Sequence, residues 1–214
     1  MPSPSPQAAR TLYLVRHGQT VLNVQGRLQG WCDSPLTADG VAGVRGTADR
    51  LADRSFAAAY VSPSPRARTT AELLLARHRK VPVREMPDLR EFGFGSAEGR
   101  REVDLLPEVD PYDMWLGVVA GTFPGFPGGE TGERYRARVL RAFQTIEASH
   151  PNGEEDVLVV SHCLTLMTYL ASIDPERTAP PRNAGVAVVE LGRERRLVSV
   201  EAREPDSRTV PALG

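Results

Sequence analysis

The chain has 214 residues, 41% of them hydrophobic and 25% charged, a composition that fits a globular protein built around one sizeable domain. Lys+Arg 26 against Asp+Glu 27 leaves a formal net charge of −1, so no global field draws the molecule to nucleic acid or to an anionic membrane surface. Two cysteines, Cys32 and Cys163, exclude a disulfide framework and fit a reducing, cytoplasmic setting.

The opening MPSPSPQAAR lacks an apolar core and alternates proline with serine. It reads as neither a signal peptide nor an anchor, and residues 1–10 are expected to be a disordered tail. Residues 12–18, LYLVRHG, follow with four apolar residues in a row, as in a strand buried on both faces of a mostly parallel sheet. Arg16 and His17 stand where that strand emerges at its carboxyl end, the edge where open α/β sheets bind ligands. An arginine fork beside an imidazole that can serve as nucleophile or base suggests a phosphate site.

The stretch GQTVLNVQGRLQGWCDSP is irregular by turn chemistry. Thr37 then reads as an N-cap, with Val41, Val44, Ala48 and Leu51 forming the apolar stripe of a helix. Residues 57–61 are a second buried strand, and SPSPRARTTAE opens the next helix with Ser64 as cap, Pro65 at the first position and Arg66 in the first turn. Residues 81–85 are a short strand that Pro82 restricts to a sheet edge. They lead into DLREFGFGSAEGR, a glycine-punctuated loop carrying Asp88, Glu91 and Glu98. Residues 101–130 show no clear period and end in GTFPGFPGG, and they are expected to form an inserted lid or wall over the site.

Tyr135, Val139, Leu140, Phe143 and Ile146 share one helical face, and Pro151-Asn152-Gly153 is expected to end that helix. The run 157–173 is broken by Ser161, His162, Thr165 and Thr168, so it reads as a buried strand feeding a helix rather than a membrane span. Residues 186–191 and 197–201 form a hairpin, and residues 205–214 are expected to be a disordered tail. His78 and His150 read as helix-end cations without a catalytic part. The alternation of strands and helices gives a three-layer α/β/α sandwich with a mostly parallel central sheet, one domain spanning 11–204.

LVRHGQT with Asn23 six residues after the histidine, GWCDSPLTADG, SPSPRARTTAE, LREFGFGSAEG and VVSHC together resemble the histidine phosphatase superfamily, the phosphoglycerate-mutase-like fold. The resemblance runs from about residue 12 to residue 191. It implies that His17 is the nucleophile that becomes phosphorylated and that Arg16 and Arg66 hold the phosphoryl oxygens. It also implies that Asn23 is a further phosphate contact, His162 the second histidine that donates to the transferring group, and Glu91 the proton donor. Arg100 and Arg101 lie after the EG turn, within possible reach of an anionic substrate rim. No metal-ligand cluster is visible; arginines supply the charge a metal would, and no cofactor is implied. The family pattern departs at three positions, with Cys163 for the usual glycine, Ala97 for the usual aromatic and Leu22 for the usual tryptophan.

The resemblance points to a phosphomonoester hydrolase acting through phosphohistidine on a small phosphorylated metabolite, without nucleic-acid or membrane partners. GGET at residues 128–131 resembles the GGES of the phosphatase branch, and only 71 residues separate Glu91 from His162, where glycolytic mutases carry a longer insertion. The alternatives are a 2,3-bisphosphoglycerate-dependent phosphoglycerate mutase and a phosphate-binding scaffold without turnover. Neither the substrate nor the oligomeric state is encoded in a readable motif.

Overall fold

The computed structural model describes residues 10–78, 80–106, 108–150, 156–176 and 178–202. Both expected tails fall outside these residues except for Arg10, which is the first residue of a strand rather than part of a tail. The expected Pro151-Asn152-Gly153 stop also falls outside them.

The six strands are β1 (Arg10–Arg16), β2 (Phe56–Val61), β3 (Val83–Glu85), β4 (Asp156–Ser161), β5 (Val186–Leu191) and β6 (Arg195–Val200). They form one sheet in the order β3-β2-β4-β1-β5-β6. The first four are parallel, while β5 and β6 add antiparallel at one edge. The helices are α1 (Val21–Val24), α2 (Ala38–Leu51), α3 (Pro65–Leu75), α4 (Pro111–Ala120), α5 (Gly132–Ala148) and α6 (Cys163–Ala171).

Alternation along the buried strands sorts side chains between the two faces of the sheet. Tyr13, Val15, Ala59, Val61, Leu158 and Val160 pack with α2 and α3 on one face. On the other, Leu12, Leu14, Tyr60, Val157 and Val159 pack with α4, α5 and α6. Helices on both sides of one mixed sheet make the three-layer sandwich expected from the sequence. In register, Arg16 lies opposite Ser161 and Val61 opposite Val160, so β1, β4 and β2 end at the same level.

Local signals explain most boundaries. Thr37 caps α2 by accepting the Gly40 amide at 2.9 Å. Pro65 occupies the first turn of α3, although Ser64 makes no side-chain capping bond. The strand expected at 81–85 is reduced to Val83–Glu85, an edge strand whose three residues are all exposed. Helix α4 lies inside the segment for which no period was legible. Asp110 caps it through the Tyr112 and Asp113 amides, and Gly121 ends it in the left-handed conformation at φ 85. Its sequence PYDMWLGVVA is apolar nearly all round, which removes the stripe by which a surface helix is recognised. Met114 and Val118 enter the core, so residues 101–130 are built into the layer that covers the sheet.

Helix α5 corrects one expectation and adds a residue. Leu140 is only half-buried, while Arg138, two positions before it in sequence, is buried on the helix. Its guanidinium donates to Glu130 at 2.7 and 2.6 Å and to the carbonyls of Asp88, Arg90 and Glu91 at 2.8–2.9 Å. That one side chain therefore ties α5 to the loop carrying Glu91. Gly95, at φ 53, lets this loop lie against Pro127, Gly128 and Gly129; an added Cβ would sit 2.3 Å from the Gly129 nitrogen.

Replacing Arg138 with methionine keeps the stem and removes a buried cation with its bonds to Glu130 and three carbonyls. Urea unfolding is expected to show a loss of about 3 kcal/mol, the scale for removing one partner of a largely buried pair. An unchanged midpoint would show that the loop is held by other contacts.

Candidate active site

The level carboxyl ends of three strands bring together residues far apart in sequence. Arg16 ends β1, and the His17 amide extends the parallel ladder by donating to the Ser161 carbonyl at 3.0 Å. Ser62 extends β2 in the same way, donating to the Val160 carbonyl at 3.0 Å. His162 follows β4 and is the N-cap residue of α6. The two imidazole rings lie side by side, 5.2 Å apart between centroids.

His17 is 3% exposed, and its Nδ1 lies 2.8 Å from the Gly18 carbonyl. A carbonyl only accepts, so Nδ1 carries the proton of the neutral ring and Nε2 keeps its lone pair. The Gly18 peptide is fixed from its other side, its amide donating to Thr70 Oγ1 at 3.0 Å. Burial, reinforced by the positive charges of Arg66 and Arg16, holds His17 well below the usual histidine range. The ring is thus a neutral imidazole with a free nucleophilic nitrogen. His162 is fully buried, and burial followed by Arg66, His17 and Arg16 depresses it likewise.

Arg66 is 2% exposed and lies in the first turn of α3. Its terminal nitrogens reach back to the loop after β1, donating to the carbonyls of Gly30 at 2.8 Å, Cys32 at 3.1 Å and Gln29 at 3.3 Å. Asp33 stands 3.8 Å away as a half-exposed counter-ion. Burial is the main influence on this guanidinium and lowers its pKa. Arg16 donates to the Pro181 carbonyl at 2.9 Å. The Nε atoms of both arginines are buried and without a partner in the protein.

Asn23 sits in α1, where Thr20 and Asn23 cap one another. Its Oδ1 accepts the Thr20 amide at 3.2 Å and Asn183 Nδ2 at 3.0 Å. Those two donors orient the amide, so the NH₂ end turns away from them. Asn183 also donates to the His17 carbonyl at 3.2 Å. Gln29 shows the same logic: its Oε1 accepts the Thr20 hydroxyl at 2.7 Å, and its buried Nε2 has no partner.

Glu91, 5% exposed, receives five donors. Oε1 accepts from Tyr135 OH at 2.9 Å, the Phe92 amide at 3.1 Å, and the Thr165 amide and hydroxyl, both at 3.2 Å. Oε2 accepts the Leu164 amide at 3.0 Å. The carboxylate therefore sits at the N-terminus of α6, next to the turn that carries His162, where free amides favour an anion. Tyr135 has its phenol pushed well up by burial and by the charge of Glu91, which keeps it a donor.

The other nearby acids and bases are engaged elsewhere. Glu98 accepts the amides of Gly30, Trp31, Cys32 and Phe94 at 2.8–3.2 Å, making it the brace between two loops. Asp88 faces Arg141 at 3.8 Å. Arg100 pairs with Glu108 at 2.9 and 3.1 Å and Arg101 with Asp104 at 3.3 Å, so both rim candidates face carboxylates of the 101–130 segment. His150 is not the helix-end cation expected: it bonds Tyr60 OH at 2.9 Å, and burial together with Arg10 and Arg84 lowers its pKa. His78 meets Phe56 at a tilt, with ring centroids 5.1 Å apart. The Cys32 thiol is pushed up to about 12 by burial and Glu98, and Cys163 opens α6.

Sequence reasoning missed Gln29, Ser62, Tyr135, Thr165 and Asn183. Ser62 lies inside the SPSPR motif and Asn183 just before a strand, but polar residues there are common, and only proximity in the fold singles these out. Among the described residues no three His, Cys, Asp or Glu side chains gather closely enough to hold a metal ion. What remains open is a set of buried donors: Arg16 Nε, Arg66 Nε, Gln29 Nε2 and one nitrogen of His162. Unsatisfied buried donors clustered around two guanidinium groups call for a multiply charged oxyanion. His17 Nε2 could attack its central atom.

Comparison with known proteins agrees with this geometry. The sequence model of the histidine phosphatase superfamily (branch 1) matches residues 12–202. The adenosylcobalamin/alpha-ribazole phosphatase of Escherichia coli is 33% identical over 163 residues, 76% of this chain and 78% of that protein. The 2,3-bisphosphoglycerate-dependent phosphoglycerate mutase 2 of Gloeobacter violaceus is 31% identical over 167 residues, 76% of this chain and 75% of its own length. Among solved structures, Bacillus stearothermophilus YhfR superposes with a TM-score of 0.78 at 31% identity, covering 92% of this chain and 98% of that one.

The depressed histidines make stability depend on pH with a definite sign. In the unfolded chain His17 and His162 take up protons near pH 6.5, whereas the folded protein keeps both neutral. The unfolded state then binds more protons, so stability is fully present above about pH 6.5 and falls below it. Each histidine contributes up to about 1.4 kcal/mol per pH unit until its folded-state pKa is reached. Urea unfolding between pH 7.5 and 5.5 in phosphate-free buffer is expected to show this decline. A His17→Asn, His162→Asn double variant should flatten it, leaving the smaller share of His150; an equally steep decline would refute the assignment.

Proposed function

The chain belongs to the histidine phosphatase superfamily (branch 1), and on that premise we propose that it is a metal-independent phosphomonoester hydrolase working through a phosphohistidine on His17. The observation that carries the proposal is the bond of His17 Nδ1 to the Gly18 carbonyl, which leaves the Nε2 lone pair free amid the unsatisfied donors of Arg16 and Arg66.

In the first step Nε2 attacks phosphorus and the bond from phosphorus to the ester oxygen breaks, while Glu91 gives the leaving oxygen its proton. Charge that builds on the equatorial oxygens meets Arg16, Arg66, Asn23 and His162, and this electrostatic support is the main catalytic contribution. In the second step water attacks the phosphohistidine and Glu91 takes the proton from that water. The nitrogen–phosphorus bond breaks with its electron pair returning to Nε2, and inorganic phosphate leaves. A buried, neutral nucleophile is ready for attack without first losing a proton.

The substrate class is a small phosphorylated metabolite. The short Glu91 to His162 interval and GGET at 128–131 favour hydrolysis over transfer to a second hydroxyl. The relatives include phosphatases and mutases, so both activities belong in the assay.

The protein is expected to release phosphate from p-nitrophenyl phosphate in EDTA, and from one or more members of a panel containing α-ribazole phosphate, sugar phosphates and phosphoglycerates. His17→Ala should lower kcat at least about a thousandfold, and Arg66→Ala about a hundredfold to a thousandfold. Full activity in His17→Ala, or no release from any substrate, would overturn the hydrolase assignment. Interconversion of 3- and 2-phosphoglycerate dependent on a bisphosphate primer would replace it with the mutase.

A further inference from the structure

The two histidines are held by chemically different partners. His17 bonds a carbonyl, which can only accept. His162 presents Nε2 to a hydroxyl, Ser62 Oγ, at 2.7 Å, and its Nδ1 is buried without any partner. Ser62 is itself fully buried, and the Val160 carbonyl holds its backbone amide at 3.0 Å, so its oxygen cannot follow the imidazole if the ring moves. Behind it stands Ser64, whose amide donates to Ser62 Oγ at 3.4 Å and whose hydroxyl is placed to accept from Ser62 at 3.3 Å when the Ser62 proton is turned away from the ring.

We propose that Ser62 is a positioning residue that keeps a proton on Nδ1 of His162, so that the second histidine presents an N–H to the phosphoryl oxygens whether its ring is neutral or charged. In the neutral ring, the Ser62 hydroxyl donates to Nε2 and accepts from Ser64, which assigns the single ring proton to Nδ1. In the charged ring, Nε2–H donates to Ser62, the Ser62 hydroxyl turns its own proton to Ser64, and Nδ1–H is unchanged. Only a group that both donates and accepts permits this exchange. The opposite neutral tautomer would turn a lone pair of Nδ1 toward the bound anion, a repulsive arrangement at a buried site.

The pair of histidines is thus divided by its supports. Both carry the proton on Nδ1, but His17 offers the lone pair of Nε2 for attack while His162 offers the Nδ1 proton for binding. This rests on the phosphoryl site proposed above but not on turnover, and the two can fail separately.

The test is the ring-nitrogen spectrum of the full-length ¹⁵N-labelled protein. Long-range proton–nitrogen correlations distinguish the two neutral tautomers, and His162→Gln assigns the His162 signals among the four histidines. At pH 7.5 the wild-type His162 is expected as the Nδ1–H tautomer, with its Nδ1 signal displaced by inorganic phosphate. Ser62→Ala should give a mixed or Nε2–H pattern and weaken inorganic phosphate about tenfold, the scale of one lost buried hydrogen bond. Ser62→Thr, which keeps the hydroxyl, should restore both.

A wild-type His162 protonated on Nε2 overturns the proposal without any variant being needed. So does a folded Ser62→Ala protein with unchanged tautomer and phosphate affinity. A protein that gives the expected spectra and phosphate response yet hydrolyses nothing would sink the hydrolase reading alone.

Discussion

The buried guanidinium of Arg66 is the contact on which the rest of the site depends. Among the described residues it is a cation removed from water with no carboxylate closer than Asp33 at 3.8 Å, held instead by the carbonyls of Gln29, Gly30 and Cys32. Carbonyl dipoles satisfy its terminal N–H groups without cancelling its charge. The field that remains adds to burial in lowering both histidines, and an incoming phosphoryl group would neutralise it. Because those carbonyls belong to the loop after β1 and the guanidinium to α3, the same bonds also fix how the loop folds over the sheet edge.

Carboxylates organise the surrounding loops chiefly through backbone amides. Glu98 gathers the amides of residues 30–32 and 94, placing under Arg66 the loop whose carbonyls bind it. Glu91, seven residues earlier, gathers the first amides of α6 together with Tyr135 and Thr165. Arg138 then binds the carbonyls on the far side of that loop. Two acids of one loop are thereby separated into different tasks by which amides reach them. Both anchors lie within packed layers, so the first shell is held rigid by elements that carry no chemistry themselves.

The strand runs at 12–15 and 157–160, the Thr37 cap and Pro65 at the first position of α3 were legible, and Arg16, His17, Asn23, Arg66, Glu91 and His162 stood out as site candidates, because each depends on local pattern or motif spacing. Helix α4 was not, since burial on several sides erased its stripe although Asp110 and Gly121 mark its ends. His150 was misread for a related reason: its place near a helix end suggested a cation, but burial and two arginines across the packing lower its pKa, and its ring bonds Tyr60. The partners of Arg100 and Arg101, Glu108 and Asp104, were not legible either, because no short-range pattern announces them.

The sequence by itself determined the alternating architecture and the candidate residues of the site, because periodicity, caps and motif spacing are short-range properties of a chain. Only the tertiary structure decided which nitrogen of each histidine is free, which way Asn23 and Gln29 turn, and which donors reach Glu91. Those outcomes depend on single hydrogen bonds to Gly18, Ser62, Asn183, Thr20 and Tyr135. Such partners lie up to 160 residues away along the chain, and nothing but the register of parallel strands and the packing of helices on them brings these groups within 3 Å or so of one another.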